Sequence, residues 1–392
     1  MEEAADNAVE DFSLARSGYM HLILKKLGLA GTTTKGYLLR CFVLSGSTWL
    51  PLLILSLLQG VAYGHNVKLP FLLDFASQGK FLIIIPLLIF AEHSVDTRII
   101  ELTGQLFRSG ILSENDLPAY IKIKQNTKRL SETGIADLVI LLIIIFNIII
   151  RFSENASLKL TWFILPGGDG NQISWAGWWI TCFSLPVFQF ILMRWFWRWI
   201  IWLIYFKKIS KMPLKLSPAH SDKAGGIGFL GLPPAPFLSV TFAISILFAS
   251  IIAARIFWLH ERLPEYYPLM IGIALLSVIM NVVPLLVFIK PLMIQRRKGI
   301  FEYSTILQQH HRKFDEKWLE KSGSETLLGN QDASSLIDLN GSFEAVMSMR
   351  IFPFNLKTMI SIIIIAILPM IPLLAFEYDW LDILKKLLGM LI

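Results

Sequence analysis

Long apolar runs separated by shorter polar segments dominate the hydrophobic pattern of this 392-residue chain. Several runs approach or exceed the ~20 residues that a helix needs to cross the hydrocarbon core of a bilayer. The alternating pattern of membrane β-barrel strands is absent from the sequence. The pattern therefore predicts an all-α polytopic membrane protein with about seven transmembrane helices. The expected spans are residues 38–61, 80–97, 135–152, 175–203, 237–259, 268–290 and 357–377.

Two polar insertions in the transmembrane domain predict a small cytoplasmic helical layer. Residues 98–134 and 291–356 carry helical periodicity and many polar side chains. Ser113 and Asp116 have the spacing of a helix N-cap and its capping-box partner. We expect these two insertions to pack together with the loop at residues 207–236.

The two ends of the chain are predicted to lie outside the transmembrane domain of residues 38–377. Residues 1–37 begin with an acidic, polar stretch that is not a secretory signal peptide, and we expect a cytoplasmic N-terminal segment there. Residues 378–392 are amphipathic at helical spacing and too short to span, which predicts an interfacial helix. Seven spans would place the C-terminus outside, whereas a re-entrant segment at 357–377 would place it inside.

The distribution of basic residues indicates the orientation of the chain. With the N-terminus inside, the cytoplasmic segments hold 26 Lys and Arg residues and the outer segments hold seven. This bias predicts a multi-pass protein of the cell inner membrane with a cytoplasmic N-terminus. The same rule accounts for most of the net charge of +7, so we expect contact with anionic lipid headgroups and no nucleic-acid binding.

The second predicted helix carries ionisable residues near its cytoplasmic end. Glu92 and Asp96 are four residues apart on one face, with His93 beside them and Arg98 following. Ionisable groups in a spanning helix are costly and usually face the bundle interior or water. Three interpretations stay open, namely a solvated helix end, a paired structural network and a permeation or proton-relay site. Pro86 should kink this helix.

The fourth predicted helix supplies possible partners for those carboxylates. Arg194 and Arg198 are four residues apart and fall at about the depth of Glu92 and Asp96. We predict that the two helices pair through these side chains. The alternative is that both arginines reach up to lipid phosphates while neighbouring tryptophans form an interfacial belt. Those tryptophans are Trp195, Trp197, Trp199 and Trp202.

A glycine-rich loop follows the fourth helix and matches G-x-G-x-x-G from Gly226 to Gly231. A dinucleotide site would need a strand before the motif and a helix starting within it, and both are missing from the sequence pattern. The loop could be a tight turn that packs under the bundle, an anion site, or a metal or catalytic site. The residues that would form such a site are His220, Asp222, Gly225, Gly226 and Gly228.

Asn281 is an uncharged polar residue at the middle of the sixth predicted span. It could bond to a neighbouring helix or line a pathway. Arg255, near the end of the fifth span, fits an anchor at the membrane interface. No pattern in the sequence identifies a cofactor, a zinc site or a catalytic nucleophile with its base.

The motif H-x-D-x-A-G-G-x-G-F-L after an R-W-x-W-R-x-x-x-W helix resembles a pattern in uncharacterised bacterial inner-membrane proteins. It covers about 40 residues and implies no function. Ser221 stands where that pattern has proline. The matching residues are Arg194, Trp195, Trp197, Arg198, Trp202, His220, Asp222, Ala224, Gly225, Gly226, Gly228, Phe229 and Leu230.

Three functions remain open at this stage. A channel or transporter for a small ion, assembled as a homo-oligomer, would use the charged groups of the second and fourth helices. A membrane-embedded enzyme would use His220 and Asp222 together with Glu92 and His93. A non-catalytic assembly or signalling subunit would dock partners on its cytoplasmic helices. We favour ion conduction or transport, because charged groups at matching depth are the strongest candidates in the sequence.

Overall fold

The computed structural model describes most of the predicted transmembrane domain. Its described residues are 26, 34–64, 67–154, 161–167, 170–232, 237–320 and 331–377. The predicted interfacial helix at 378–392 and nearly all of the predicted N-terminal segment lie outside these residues.

The described residues form an all-α bundle, as the hydrophobic pattern predicts. Seven helices are long and apolar enough to cross a membrane, and each coincides with one of the expected spans. Extended structure is confined, among the described residues, to one short hairpin and an isolated bridge beside it. The helices are α1 (Thr34–Leu58), α2 (Phe75–Arg108), α3 (Leu117–Ser131), α4 (Gly134–Glu154), α5 (Trp175–Ile209), α6 (Leu238–Leu259), α7 (Tyr267–Leu286), α8 (Ile289–Asp315), α9 (Gln331–Met347) and α10 (Leu356–Ile367), which a 3-10 helix (Leu368–Phe376) extends.

The two long helices α2 and α5 each contain a turn of π-helix. This turn spans Gly79–Ile84 in α2 and Ile180–Ser184 in α5. Pro86 and Pro186 follow within two residues. Because proline has no N–H to donate, a wider turn ahead of it keeps the helix continuous. The local feature near Pro86 is therefore a π-helical turn.

A small polar structure closes one end of the bundle, which we call the hairpin side. Strand β1 (Ile164–Gly167) pairs antiparallel with β2 (Gly170–Ile173). At this end the buried Asp74 carboxylate accepts hydrogen bonds from Ser77 Oγ at 2.6 Å and from Trp162 Nε1 at 3.1 Å. Short strands of mixed composition leave no clear periodicity, so the sequence pattern did not indicate this hairpin.

The polar insertions meet at the opposite end, which we call the loop side. Lys215 N–H donates to Ile111 O at 2.9 Å, which joins the loop after α5 to the connection between α2 and α3. Gln295 Nε2 donates to Leu216 O at 2.8 Å and joins α8 to the same loop. The expected packing of the three polar segments is therefore present. Its position on the cytoplasmic side stays a prediction.

The predicted capping box begins the second arm of the α2–α3 connection. Asp116 Oδ2 accepts a hydrogen bond from the Ser113 backbone N–H at 2.9 Å, and the Ser113 hydroxyl lies 2.5 Å from the same oxygen. The short 3-10 turn at Glu114–Asp116 leads directly into α3. A capping box satisfies backbone donors that have no partner within the helix, which fixes where the helix begins.

Candidate functional site

A small cavity inside the bundle is bordered by four ionisable side chains from three spanning helices. Its volume is about 40 Å³. A cavity of about 10–15 Å³ already holds one water molecule, so this one has room for a few waters or a small ion. The polar side chains that line it are Arg40 on α1, Glu92 on α2, and Arg194 and Arg198 on α5.

Glu92 is the centre of this cluster, because each of its carboxylate oxygens contacts a different arginine. Arg198 Nη2 donates to Glu92 Oε1 at 2.8 Å, and Arg40 Nη1 donates to Oε2 at 3.0 Å. The predicted pairing between the second and fourth spans is therefore present at Glu92 and Arg198. Hydrogen bonds between charged groups are the stronger kind, and here they tie α1, α2 and α5 together.

Arg194 makes a separate ion pair with α4, the helix that precedes α5 in the chain. Its Nη1 donates to Asp137 Oδ1 at 2.9 Å, and both side chains are at most 4% exposed. Asp137 lies in the first turn of α4, three residues after Gly134. Arg194 therefore has a partner on α4, in addition to the pairing that was predicted between the second and fourth spans.

Aromatic rings hold two of the guanidinium groups in place. The Arg198 guanidinium lies 4.7 Å from the ring centroid of Trp195, and that of Arg40 lies 4.4 Å from the ring of Tyr37. Trp195 is fully buried, and Arg194 and Arg198 are 3% and 7% exposed. Because these side chains are enclosed by protein, the alternative in which the arginines reach lipid phosphates is wrong.

His93 and Asp96 stand outside the lining of this cavity. The His93 ring packs 5.6 Å from the ring of Tyr37 and is exposed at the bundle surface. Asp96 is buried, one helical turn beyond Glu92. The interpretation of this stretch as a solvated helix end therefore fails for Asp96 and Glu92, which face the interior.

The glycine loop is organised around the carboxylate of Asp222. Its Oδ1 accepts from the backbone N–H groups of Ala224 at 2.8 Å and Gly226 at 3.1 Å. Its Oδ2 accepts from Gly228 N–H at 2.8 Å. The successive amides do form a cradle for an anion, as the loop composition suggested, and the chain supplies the anion itself.

Backbone geometry explains why this loop needs glycine. Gly226 has a φ of 95°, which a residue with a Cβ rarely adopts. A Cβ on Gly228 would lie 2.9 Å from Asp222 Oδ2, in the path of the carboxylate. Burial raises the pKa of the Asp222 carboxyl, but the three backbone donors and His220 lower it, and the resulting pKa is below its usual range.

Further contacts fix the loop to the helical layer. Arg350 Nη2 donates to Asp222 O at 2.9 Å, and the Arg350 backbone N–H donates to Lys223 O at 2.7 Å. His220 Nδ1 lies 2.9 Å from Asp222 Oδ1. None of the loop residues borders the cavity at Glu92. This arrangement fits the interpretation of the loop as a turn that packs under the bundle.

Asn281 also lies away from the arginine cavity. Its Nδ2 donates to Ser277 O on the preceding turn of α7 at 2.9 Å. The residue borders a separate, narrow cavity of about 10 Å³, together with Trp202 and Thr358. Neither the glycine loop nor Asn281 therefore belongs to the same site as Glu92 and Arg198.

Sequence reasoning missed Arg40 and Asp137 as members of the charged cluster. The count of basic residues places Arg40 in the cytoplasmic segment before the first span, whereas α1 begins six residues before it at Thr34. Asp137 lies in the first turn of a helix, where the helix dipole stabilises any carboxylate, so its type and place do not by themselves indicate a buried ion pair. A sharper signal was available, because each is a lone charge that lies inside the start of an apolar run.

Among the residues that the structure describes, no group of three or more His, Cys, Asp or Glu side chains could hold a metal ion. Comparison with known proteins finds no matching family, no similar curated protein and no similar solved structure.

Proposed function

We propose that this protein is a channel or transporter for a small ion, and that the ion occupies the cavity between α1, α2 and α5. The observation that supports this is the cluster of Arg40, Glu92, Arg194 and Arg198 around a cavity of about 40 Å³. A buried ion pair stabilises a protein no better than well-packed apolar residues of similar volume. Ionisable side chains inside a membrane bundle therefore suggest a binding site or pathway.

We also infer the direction in which the site faces. The excess of basic residues in the predicted cytoplasmic segments favours an inner-membrane protein with its N-terminus inside. In this orientation the loop side faces the cytoplasm, and the cavity lies in the half of the membrane nearer to it. An ion leaving the cavity toward the cytoplasm would then pass the basic loop side.

The proposal is tested by flux measurements on the full chain in liposomes. Purified protein is reconstituted, and the uptake of a panel of small cations and anions is compared with that of empty liposomes. We expect flux of at least one ion, and a change of tenfold or more in that flux in Arg198→Gln. Absence of flux for every ion, in protein that is folded and monodisperse, would overturn the proposal. Light scattering on the same sample reports whether a homo-oligomer forms.

Arg255→Gln provides the matched control. Arg255 lies in α6 toward the hairpin side, its side chain is more than half exposed, and its contact with Glu261 is 3.8 Å. This variant removes the same charge as Arg198→Gln without touching the cavity. We expect its flux to stay within twofold of that of the wild type.

An enzymatic role draws less support from the geometry. His220 and Asp222 are adjacent, but the Asp222 carboxylate already accepts three backbone hydrogen bonds. A general base must be free to take a proton from its substrate, and the lowered pKa of this carboxyl makes it a weak base.

A second candidate function, docking of a partner protein, is favoured by one feature of the loop side. Several large apolar side chains are more than half exposed on α8, on α9 and on the turn Glu316–Glu320 between them. These elements lie beyond the spanning helices. Exposed apolar surface of this kind can mark an interaction site. Chemical crosslinking in native membranes, compared between wild type and Phe301→Ser, tests it. The side chains are Phe301, Ile306, Leu319 and Ile337.

A further inference from the structure

We infer that the cavity bordered by Arg40, Glu92, Arg194 and Arg198 binds a monovalent anion of halide size. This inference rests on the proposed function for the role of the ion, but the binding itself can be measured without transport. It specifies the sign and size of the ion, which the proposed function leaves open.

The sign follows from the charges that border the cavity. Among the described residues, three guanidinium groups and one carboxylate line the cavity, so these side chains carry an excess of two positive charges. Asp137 offsets one of them through its contact with Arg194 from outside the lining. Asp96 and His93 do not border the cavity. The balance at the cavity surface is therefore positive, which attracts an anion and repels a cation.

The ion pairs also arrange the guanidinium groups around the cavity. Glu92 fixes Arg40 and Arg198 on opposite oxygens, and Asp137 fixes Arg194. A guanidinium carries five N–H donors in a rigid plane, so it can hold a carboxylate and donate to a second anion at the same time. A site held in this way loses little conformational entropy when the ion binds.

The size and the walls of the cavity limit the choice of anion. About 40 Å³ accommodates one small ion and leaves no room for a hydrated polyvalent one. The remaining lining is apolar, so an entering ion must give up most of its water, and weakly hydrated monovalent anions lose the least. Chloride, bromide and nitrate fit this description better than phosphate or sulfate. The apolar lining residues are Leu44, Leu88, Ile89, Phe190 and Ile191.

Equilibrium binding of radiolabelled chloride to the full chain in nanodiscs tests the inference. We expect saturable binding that bromide displaces and gluconate does not. Arg198→Gln should weaken the affinity by about tenfold or more, and Arg255→Gln should leave it unchanged. Glu92→Gln removes the negative charge of this carboxylate, whereas its amide oxygen can still accept a hydrogen bond from an arginine, so the variant should strengthen chloride binding. Weaker chloride binding in a folded Glu92→Gln variant, or no saturable binding in the wild type, would overturn the inference.

The liposome assay separates the failure of this inference from the failure of the proposed function. Flux of cations alone, increased by Arg198→Gln and decreased by Glu92→Gln, would reject the anion and retain the transport role. Chloride binding without flux of any ion would retain the anion site and reject transport. Anion flux that Arg198→Gln reduces would support both. A thermal unfolding curve for each variant identifies those that fail to fold.

Discussion

Two carboxylates of this protein, Glu92 and Asp222, are bound by different kinds of partner. Glu92 is bound by two arginines that lie 52 and 106 residues away along the chain. Asp222 is bound by backbone N–H groups that follow within six residues. The first arrangement requires three helices to meet, whereas the second requires only one loop to close. Any change in the packing of these helices can therefore break the ion pairs of Glu92, whereas the hydrogen bonds of Asp222 depend only on its own loop.

The contrast also separates structure from function. The backbone amides after Asp222 already bind its own carboxylate, which leaves no anion site open for a ligand. The Asp222 carboxylate therefore stabilises the conformation of the loop. At Glu92 the positive groups outnumber the carboxylate and a cavity remains between them. A site that is already complete stabilises the fold, whereas one with room and excess charge can accept a ligand.

The largest expected effect comes from breaking the buried ion pair that supports the cavity. Arg194→Met removes the guanidinium that lies 2.9 Å from the buried Asp137 carboxylate. Removing one partner of a buried pair lowers the free energy of unfolding by about 3–5 kcal/mol. Unfolding titrations in mixed detergent micelles measure this change.

The double variant Arg194→Met with Asp137→Leu should recover most of that loss, because an apolar pair carries no buried charge. Arg198→Met provides the comparison, since Glu92 keeps its contact with Arg40 at 3.0 Å. Arg198→Met should lower the free energy of unfolding by less than Arg194→Met does. Equal losses in all three variants would show that side-chain volume, and not charge, controls stability at this site.

Removing the Asp222 carboxylate should lower the free energy of unfolding by less than Arg194→Met does. Asp222→Ala leaves the backbone N–H groups of Ala224, Gly226 and Gly228 without their carboxylate. A fully buried donor without a partner costs about 1–3 kcal/mol, but these three are partly buried and water can reach them, so we expect a total loss of about that size. Asp222→Asn keeps one carbonyl oxygen and should lose less. Asp338→Asn, at an exposed position on α9, is the control and should change the free energy of unfolding by under ~0.5 kcal/mol.

The stabilisation by Asp222 should depend on pH in a defined direction. Its pKa is lowered in the folded protein, so the charged form is the one that the fold favours. The contribution is therefore fully present above the unfolded pKa of about 3.9 and is lost as the pH falls toward the lower folded pKa. The difference in unfolding free energy between wild type and Asp222→Asn should be constant from about pH 7 to 5. It should shrink below about pH 4. A difference that shrinks between pH 7 and 5 would contradict the assignment.

The smallest effect is expected at the exposed pair on the hairpin side. Arg255 and Glu261 are 3.8 Å apart and both are at least partly solvated. Exposed ion pairs contribute about 0–1 kcal/mol, and salt screens them. Arg255→Gln should therefore change the free energy of unfolding by no more than ~0.5 kcal/mol, in high or low salt. A larger loss would mean that interface charges matter as much as the buried cluster.

Much of the fold could be predicted from the sequence, because helix length and apolarity are local properties. The seven spans and the polar insertions follow from hydrophobicity over windows of about 20 residues. The capping box at Ser113 follows from a motif of four residues. The hairpin of β1 and β2 escaped prediction, since four-residue strands without alternation carry no such signal.

The charged site could be predicted only in part. Glu92 and Arg198 lie at the same depth in the membrane, which can be predicted by counting residues along each helix. The rotation of each helix about its axis decides which side chains meet, and it depends on packing against all neighbours. For this reason Arg194 pairs with Asp137, and Arg40 contacts Glu92 from α1, which begins at Thr34 and not at the predicted residue 38.

The sequence by itself determined that this chain has seven apolar helices, and a glycine loop whose successive amides can form a nest for an anion. Both properties depend on residues within one or two helical turns or within a single loop. Only the tertiary structure decided which helix faces present their charges to one another, and that the lining of one cavity holds more guanidinium groups than carboxylates. Contacts between side chains 50 or more residues apart depend on the packing of whole helices, which no local pattern encodes.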